Sequence, residues 1–220
     1  MDRSSLSSRR SRAARVVALA ILVPLAGCNV VATGMYFLHG MNVPAECSAL
    51  VGKRVAVVCR TGTSLQYNNP NVSRDLAKQV SLLLGKNVRR VHMIDQKKVL
   101  EWADENTWED FVEIGRHLDA EIVVGIDLED FSLFLGQTLY QGRANLDFAV
   151  YDVAKGKEPI DEHPLPQVIY PPNTPIPTTD KSEQQFRAAF IRELASQIAE
   201  YFYEHDPTAT FANDSTALTN

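Results

Sequence analysis

The first twenty-seven residues decide where a fold can begin. Arg3, Arg9, Arg10, Arg12 and Arg15 precede an apolar run from Val16 to Leu25, the basic-then-apolar order of an export signal. That run is too short to span a bilayer, which takes about 20 residues. A segment of this kind is removed on export, so the folded part must come from the 193 residues that start at Cys28. That is one domain of ordinary size, with enough chain for a sizeable core. Loss of the leader removes five arginines and one aspartate and takes the net charge from −5 to −9. Such an acidic balance argues against nucleic acid or anionic lipid headgroups as partners.

Leu25-Ala26-Gly27-Cys28 resembles the bacterial lipobox. In that motif small residues let a peptidase close on the backbone, and the cysteine thiol takes a diacylglyceryl group. The resemblance implies a signal peptide over 1–27, cleavage between Gly27 and Cys28, and lipid attachment at Cys28. Two or more acyl chains give stable membrane attachment where one does not. Cys28 is therefore read as an anchor in the cell envelope rather than a redox group. Asn29 is not the aspartate that favours inner-membrane retention in many enteric bacteria, which points to the outer membrane, facing the periplasm. Arg9-Arg10 touches the twin-arginine export pattern, but the rest of that motif is missing.

With Cys28 committed to lipid, Cys47 and Cys59 remain in an oxidising compartment. Two readings stand: a disulfide between them if the tether folds back along the first strand, or a free Cys47 with Cys59 as a small buried hydrophobe.

Residues 28–50 read as a lipidated tether with an apolar patch at Met35-Tyr36-Phe37-Leu38, 51–205 as the globular domain, and 206–220 as a disordered tail. Within the domain, Arg54 to Cys59 is a β-branched run between glycines, a central strand. Thr61 to Asn71 reads as a polar loop. Leu76, Val80, Leu83 and Leu84 recur at helical spacing and end by Gly85. A second strand is expected over Val88 to Ile94, and helices over Gln96 to Ala103 and Thr107 to Leu118, the latter capped by Thr107 with Asp110. Glu121 to Asp127 is a buried strand continuing to Leu135, Gly136-Gln137 a turn, and Leu139 to Val153 its antiparallel partner. Glu158 to His163 supplies a short edge strand. Pro164, Pro166, Pro171, Pro172, Pro175 and Pro177 exclude helix interior and central strand and predict a polyproline-like excursion to Thr179. From Asp180 a helix carries Phe186, Phe190, Ile191, Leu194, Ile198, Tyr201 and Phe202 on one stripe. The order predicts an α/β or α+β sandwich: a mixed sheet with a C-terminal antiparallel hairpin and helices packed on it.

Catalytic and metal signatures are missing from the sequence. His39, His92, His117, His163 and His205 lie in separate segments without metal-ligand spacing. No phosphate loop, dinucleotide fingerprint or nucleophile elbow occurs, and Gly62-Thr63-Ser64 after the first strand lacks the flanking glycines and lysine of a phosphate site. Glu113 and His117 share a helix face, ordinarily a solvated pair. Asp127, Glu129 and Asp130 stand near a strand end without a recognisable partner for acid/base work. No enzyme activity, cofactor or metal is expected.

Ile114-Gly115-Arg116-His117-Leu118-Asp119-Ala120-Glu121-Ile122-Val123-Val124-Gly125 is similar to the helix-into-strand segment of the curli-secretion lipoprotein and TolB N-terminal-domain superfamily, with Glu121 where that pattern more often has aspartate. Tyr140 to Leu146, followed by Tyr151-Asp152-Val153-Ala154-Lys155-Gly156-Lys157, resembles the same group's long strand and its closing turn. The superfamily includes secretion-pore subunits and penicillin-binding-protein activator lipoproteins, whose members act by protein contact. What the resemblance implies is a non-catalytic envelope subunit that binds another envelope protein or itself, in assembly or regulation. A subunit of an outer-membrane export complex and an envelope enzyme are the alternatives. The expected contacts are the Thr61 to Asn71 loop or the proline segment, with Val168, Ile169, Tyr170 and Ile176 presented outward.

Overall fold

In the computed structural model the described residues are 42–207, and the compact unit considered below runs from Pro44 to His205. Cys28, the Gly27–Cys28 cleavage site, the apolar patch of the tether and most of the predicted tail lie outside the described residues.

The first strand, β1 (Arg54–Thr61), is followed by α1 (Thr63–Asn68), α2 (Val72–Asn87) and the two-residue β2 (His92–Met93). Next come α3 (Gln96–Glu105) and α4 (Phe111–His117), then the hairpin of β3 (Ile122–Leu135) and β4 (Leu139–Asp152). The chain ends with β5 (Asp161–Tyr170), β6 (Ile176–Pro177) and α5 (Glu183–Glu200). One mixed sheet results, in the order β2-β1-β3-β4-β5 with β6 beside β4. β1 is parallel to β2 and β3, and β3, β4 and β5 run antiparallel. The predicted class, helices on a mixed sheet with an antiparallel hairpin, is the one observed.

Alternation along the strands sorts side chains between two faces. On one, Val55, Val57, Ile126, Leu128, Phe131, Leu146, Phe148 and Val150 meet Leu76, Val80 and Leu84 of α2 and Phe186, Phe190, Leu194 and Ile198 of α5. On the other, Ala56, Val58 and Val123 meet Val99 of α3 and Phe111 and Ile114 of α4. Glycine is required where helix and sheet come closest. A Cβ on Gly142 would lie 2.5 Å from the Phe190 ring, which is stacked at 5.2 Å on Phe131. On the second face a Cβ on Gly125 would lie 2.6 Å from Phe111, and one on Gly115 would lie 2.5 Å from Val123.

Several expected boundaries move. The domain begins at Pro44 rather than Val51, because Leu50 and Cys47 are buried in the main core and the amides of Glu46 and Cys47 donate to the Tyr201 carbonyl at 2.9 and 3.1 Å. Thr61 to Asn71 is not a loop, since it contains α1. The strand expected from Val88 shrinks to β2, as Val88 still closes α2 through its amide to the Leu84 carbonyl and Arg90 turns the chain at φ 56°. Asp110, not Thr107, caps α4, accepting from the Glu113 amide at 2.9 Å. Ser182 and Gln185 form a capping box at the start of α5, which therefore begins beyond Asp180.

The proline segment is corrected most. Pro164 and Pro166 sit inside β5, which is tolerated because β5 is at the end of the sheet order and has one neighbour, β4. A register shift opposite Ala144 and Leu146 places an extra residue on β5, where Gln167 has φ 30°, and the pairing there is that of a β-bulge. Val168, Tyr170 and Ile176 are buried core residues, so they are not contacts held out to a partner.

Candidate functional site

Three groups of side chains bring chemistry together. The first is on the second sheet face, at the edge of α4. Arg60 of β1 is paired with Asp127 of β3 in the sheet register, and its Nε and Nη2 donate to both carboxylate oxygens at 2.7 and 2.9 Å. Its Nη1 donates to the Glu109 carbonyl at 3.1 Å, and the guanidinium lies 4.9 Å from the Phe111 ring centre and 5.8 Å from that of Trp108. The bidentate fork fixes the arginine as a point charge cannot. The bond to Asp127 raises the Arg60 pKa. Burial, then the charge of Asp127, pushes the Tyr151 phenol up.

Beyond this ion pair no other described element covers the sheet face. Row by row toward the hairpin tip, Asp127 stands opposite Asp147, Asp130 opposite Asn145, and Ser132 opposite Arg143, and none of these six is buried. Asp147 and Asp130 are exposed, as is Glu162 of β5, which continues the face opposite Ala149. The acids singled out in the sequence thus fall into two roles. Asp127 is held by Arg60, and Asp130 belongs to the open surface. Glu129 sits at a register shift of β3 and is exposed.

The second group is a cleft of about 480 Å³ between α3 and α4, lined by Trp102, Asn106, Thr107, Glu113, Arg116 and His117. Trp102 and His117 face one another with ring centres 4.9 Å apart and planes tilted by 31°. Glu113 and His117, predicted as a solvated pair, share this cleft, and Glu113 accepts from the Glu109 amide at 3.1 Å. Asp110 lies at the α4 N-terminus with Lys157 at 2.6 Å. Burial raises its pKa, but Lys157 and the amides of Glu113 and Val112 outweigh that and hold the carboxyl below its usual range.

The third group ties the N-terminal segment down. The Tyr201 hydroxyl donates to Asp161 at 2.9 Å, and its ring lies 4.6 Å from His163. Burial, followed by the hydrogen bond to Asp161, pushes the phenol up to about 12. Cys47 approaches the same carboxylate, and burial raises its thiol pKa. Cys59 is raised further, by burial and then by the charge of Asp127. Neither cysteine is a reactive thiolate at neutral pH.

The structure does not join Cys47 to Cys59: both are free. Cys47 belongs with Asp161 on β5, whereas Cys59 is on β1, with β3 and β4 between. Three strand spacings are roughly 14 Å, well beyond the reach of about 7 Å between Cα atoms that a disulfide allows.

Gly62 to Ser64 only starts α1, which has six residues. Among the described residues no group of three metal-ligating side chains occurs, and no helix is long and apolar enough to cross a membrane. The aromatic wall of the cleft was missed in the sequence. Trp102 and His117 are 15 residues apart, and the row Arg60, Asp127, Asp147 is set by strand pairing alone.

No protein-family model matches the chain, and no curated protein matches it. Solved structures of similar arrangement include the PelC dodecamer from Paraburkholderia phytofirmans, at 12% identity and TM-score 0.45, covering 74% of this chain and 96% of that one. Lipoprotein GNA1162 from Neisseria meningitidis is similar at 8% identity and TM-score 0.41, with 66% and 96% covered. The LpoB C-terminal domain from Salmonella enterica is similar at 16% identity and TM-score 0.36, with 62% and 90% covered.

Proposed function

We propose that the chain is a non-catalytic lipoprotein of the bacterial cell envelope, anchored through Cys28 at the outer membrane and facing the periplasm. Its domain binds another envelope protein, or a second copy of itself, as an assembly or regulatory subunit. Membership of the curli-secretion and TolB N-terminal-domain superfamily belongs to the same reading.

The observation that carries it is the half-covered sheet. On one face α5 packs on the hairpin and α2 on β1 beside it; on the other, among the described residues, α3 and α4 cover the sheet around Ala56, Val58 and Val123 and reach Tyr151 of β4. What is left is a surface of mixed polarity, Asp130, Ser132, Arg143, Asn145 and Asp147, on paired strands. Arg143 is of a type enriched in non-obligate protein interfaces, and the polar residues around it suit their solvent-accessible rim. Strands also hold contact residues with little ordering cost on binding. The export alternative asks the hairpin to leave the domain for a bilayer. Phe131 and Tyr140 of the hairpin are instead stacked on Phe190 and Phe186 of α5 at 5.2 and 4.8 Å.

The reading is tested by capturing bound proteins from intact cells with the wild-type chain and with the double variant Asn145→Lys, Asp147→Lys. Both changed residues point away from the core, so circular dichroism should be unchanged and the captured protein lost. A partner retained at the wild-type level on a folded double variant would refute this surface.

A further inference from the structure

The cleft between α3 and α4 has no part in the sheet-face reading, yet its side chains share a chemistry. Trp102, near the end of α3, is half-buried against the second core, and His117 meets it from α4. The four polar residues around these rings keep free hydrogen-bonding capacity. Asn106 donates from its amide nitrogen to the Trp102 carbonyl at 2.8 Å, which leaves its side-chain oxygen as an acceptor. Glu113 uses one oxygen on the Glu109 amide and keeps the other. Thr107 offers a hydroxyl. Arg116 is exposed, and among the described residues its guanidinium has no ion-pair partner.

From this set we infer that the cleft is a saccharide-binding site, and that the sugar it takes carries a carboxylate. A pyranose ring presents an apolar face of C–H groups and a rim of hydroxyls. The apolar face fits against the Trp102–His117 ring pair that lines the cleft, and the hydroxyl rim fits the polar side chains beside it, Glu113 accepting, Arg116 donating and Asn106 able to do either. Arg116 adds a planar fork matched to carboxylate. The volume, about 480 Å³, is within the range of roughly 300 to 1,000 Å³ usual for small-ligand sites. The polar, open lining suits a hydrated ligand that keeps one side in water. The site is separate from the sheet face, so either can fail without the other.

The test uses the full chain in detergent with Trp108→Phe, which leaves Trp102 as the sole indole. Its fluorescence is titrated with a β-1,4-linked trimer of glucuronic acid, with cellotriose as the neutral counterpart of the same linkage, and with acetate as the bare carboxylate. The glucuronate trimer should give a saturable change, acetate none, and cellotriose at least about tenfold weaker binding. Arg116→Gln, an exposed change that spares the fold, should weaken the glucuronate trimer by about tenfold, the scale of one charge-assisted contact, and remove the preference over cellotriose. No saturable response to the glucuronate trimer, the same response to acetate, equal binding of cellotriose, or indifference to Arg116→Gln would each overturn the inference.

Discussion

Gly125→Ala tests the packing that holds α4, and with it Arg60, against the sheet. Gly125 pairs with Val58 on β1 and Ala149 on β4, and an added Cβ would fall 2.6 Å from Phe111 Cδ2 and 2.7 Å from its Cγ. The ring cannot swing aside freely. It is 3% exposed, with Trp108 at 5.7 Å, Tyr151 at 5.5 Å and the Arg60 guanidinium at 4.9 Å. One extra carbon in such a packed layer costs about 1–3 kcal/mol. For a unit of this size each kcal/mol lowers Tm by about 2–4 °C, so thermal denaturation should show a fall of roughly 2–12 °C. Phe111→Leu removes ring atoms from the same space. The double variant should therefore be less destabilised than the sum of the two single changes by about 1 kcal/mol or more. An unchanged Tm for Gly125→Ala, or strict additivity in the double variant, would refute the close approach.

Cys28→Ala should abolish labelling by a fatty-acid analogue and move the chain out of the membrane fraction, whereas equal labelling of wild type and variant would contradict the anchor. Cys47 and Cys59 should both appear as free thiols in non-reduced peptide mass spectra and react slowly with alkylating reagents until the chain is unfolded; a Cys47–Cys59 peptide would contradict the fold. Tyr201 keeps its proton in the folded state to about 12, above the ordinary tyrosine value of about 10. Its contribution to stability is therefore complete below the ordinary value and lost as pH rises through the folded one. An ultraviolet phenolate titration should show a late step that Tyr201→Phe removes.

The helices were readable by periodicity because each has one buried stripe, and β1 and β3 as continuous apolar runs because they are buried on both faces. The spacing of Leu76, Val80 and Leu84 gave α2, the stripe from Phe186 to Phe202 gave α5, and the β-branched runs gave β1 and β3 with the Gly136 turn into β4. The segments around Gly115 and Gly125 carried the superfamily resemblance. In the structure those two glycines are where α4 touches β3 and Val153 just after β4, a packing need that a sequence pattern can hold without stating its reason. Errors arose where tertiary context decided. Proline excludes an interior strand but not an edge, and nothing local tells the two apart for Pro164 and Pro166. Polar residues hid α1, and Leu50 reads as tether until α5 is in place to cover it. The candidate sites were the least legible. Arg60, Asp127 and Asp147 meet through register, and Trp102 meets His117 through the angle between two helices.

The claim that matters most is that partners meet the open face of the hairpin. A photo-activated cross-linking residue placed at Ser132, Asn145 or Asp147, and for comparison at Leu82, which is 57% exposed on α2, would read that face directly in living cells. The account predicts one discrete adduct, the same from the three sheet positions and absent from Leu82. Adducts from Leu82 with none from the three sheet positions would contradict it.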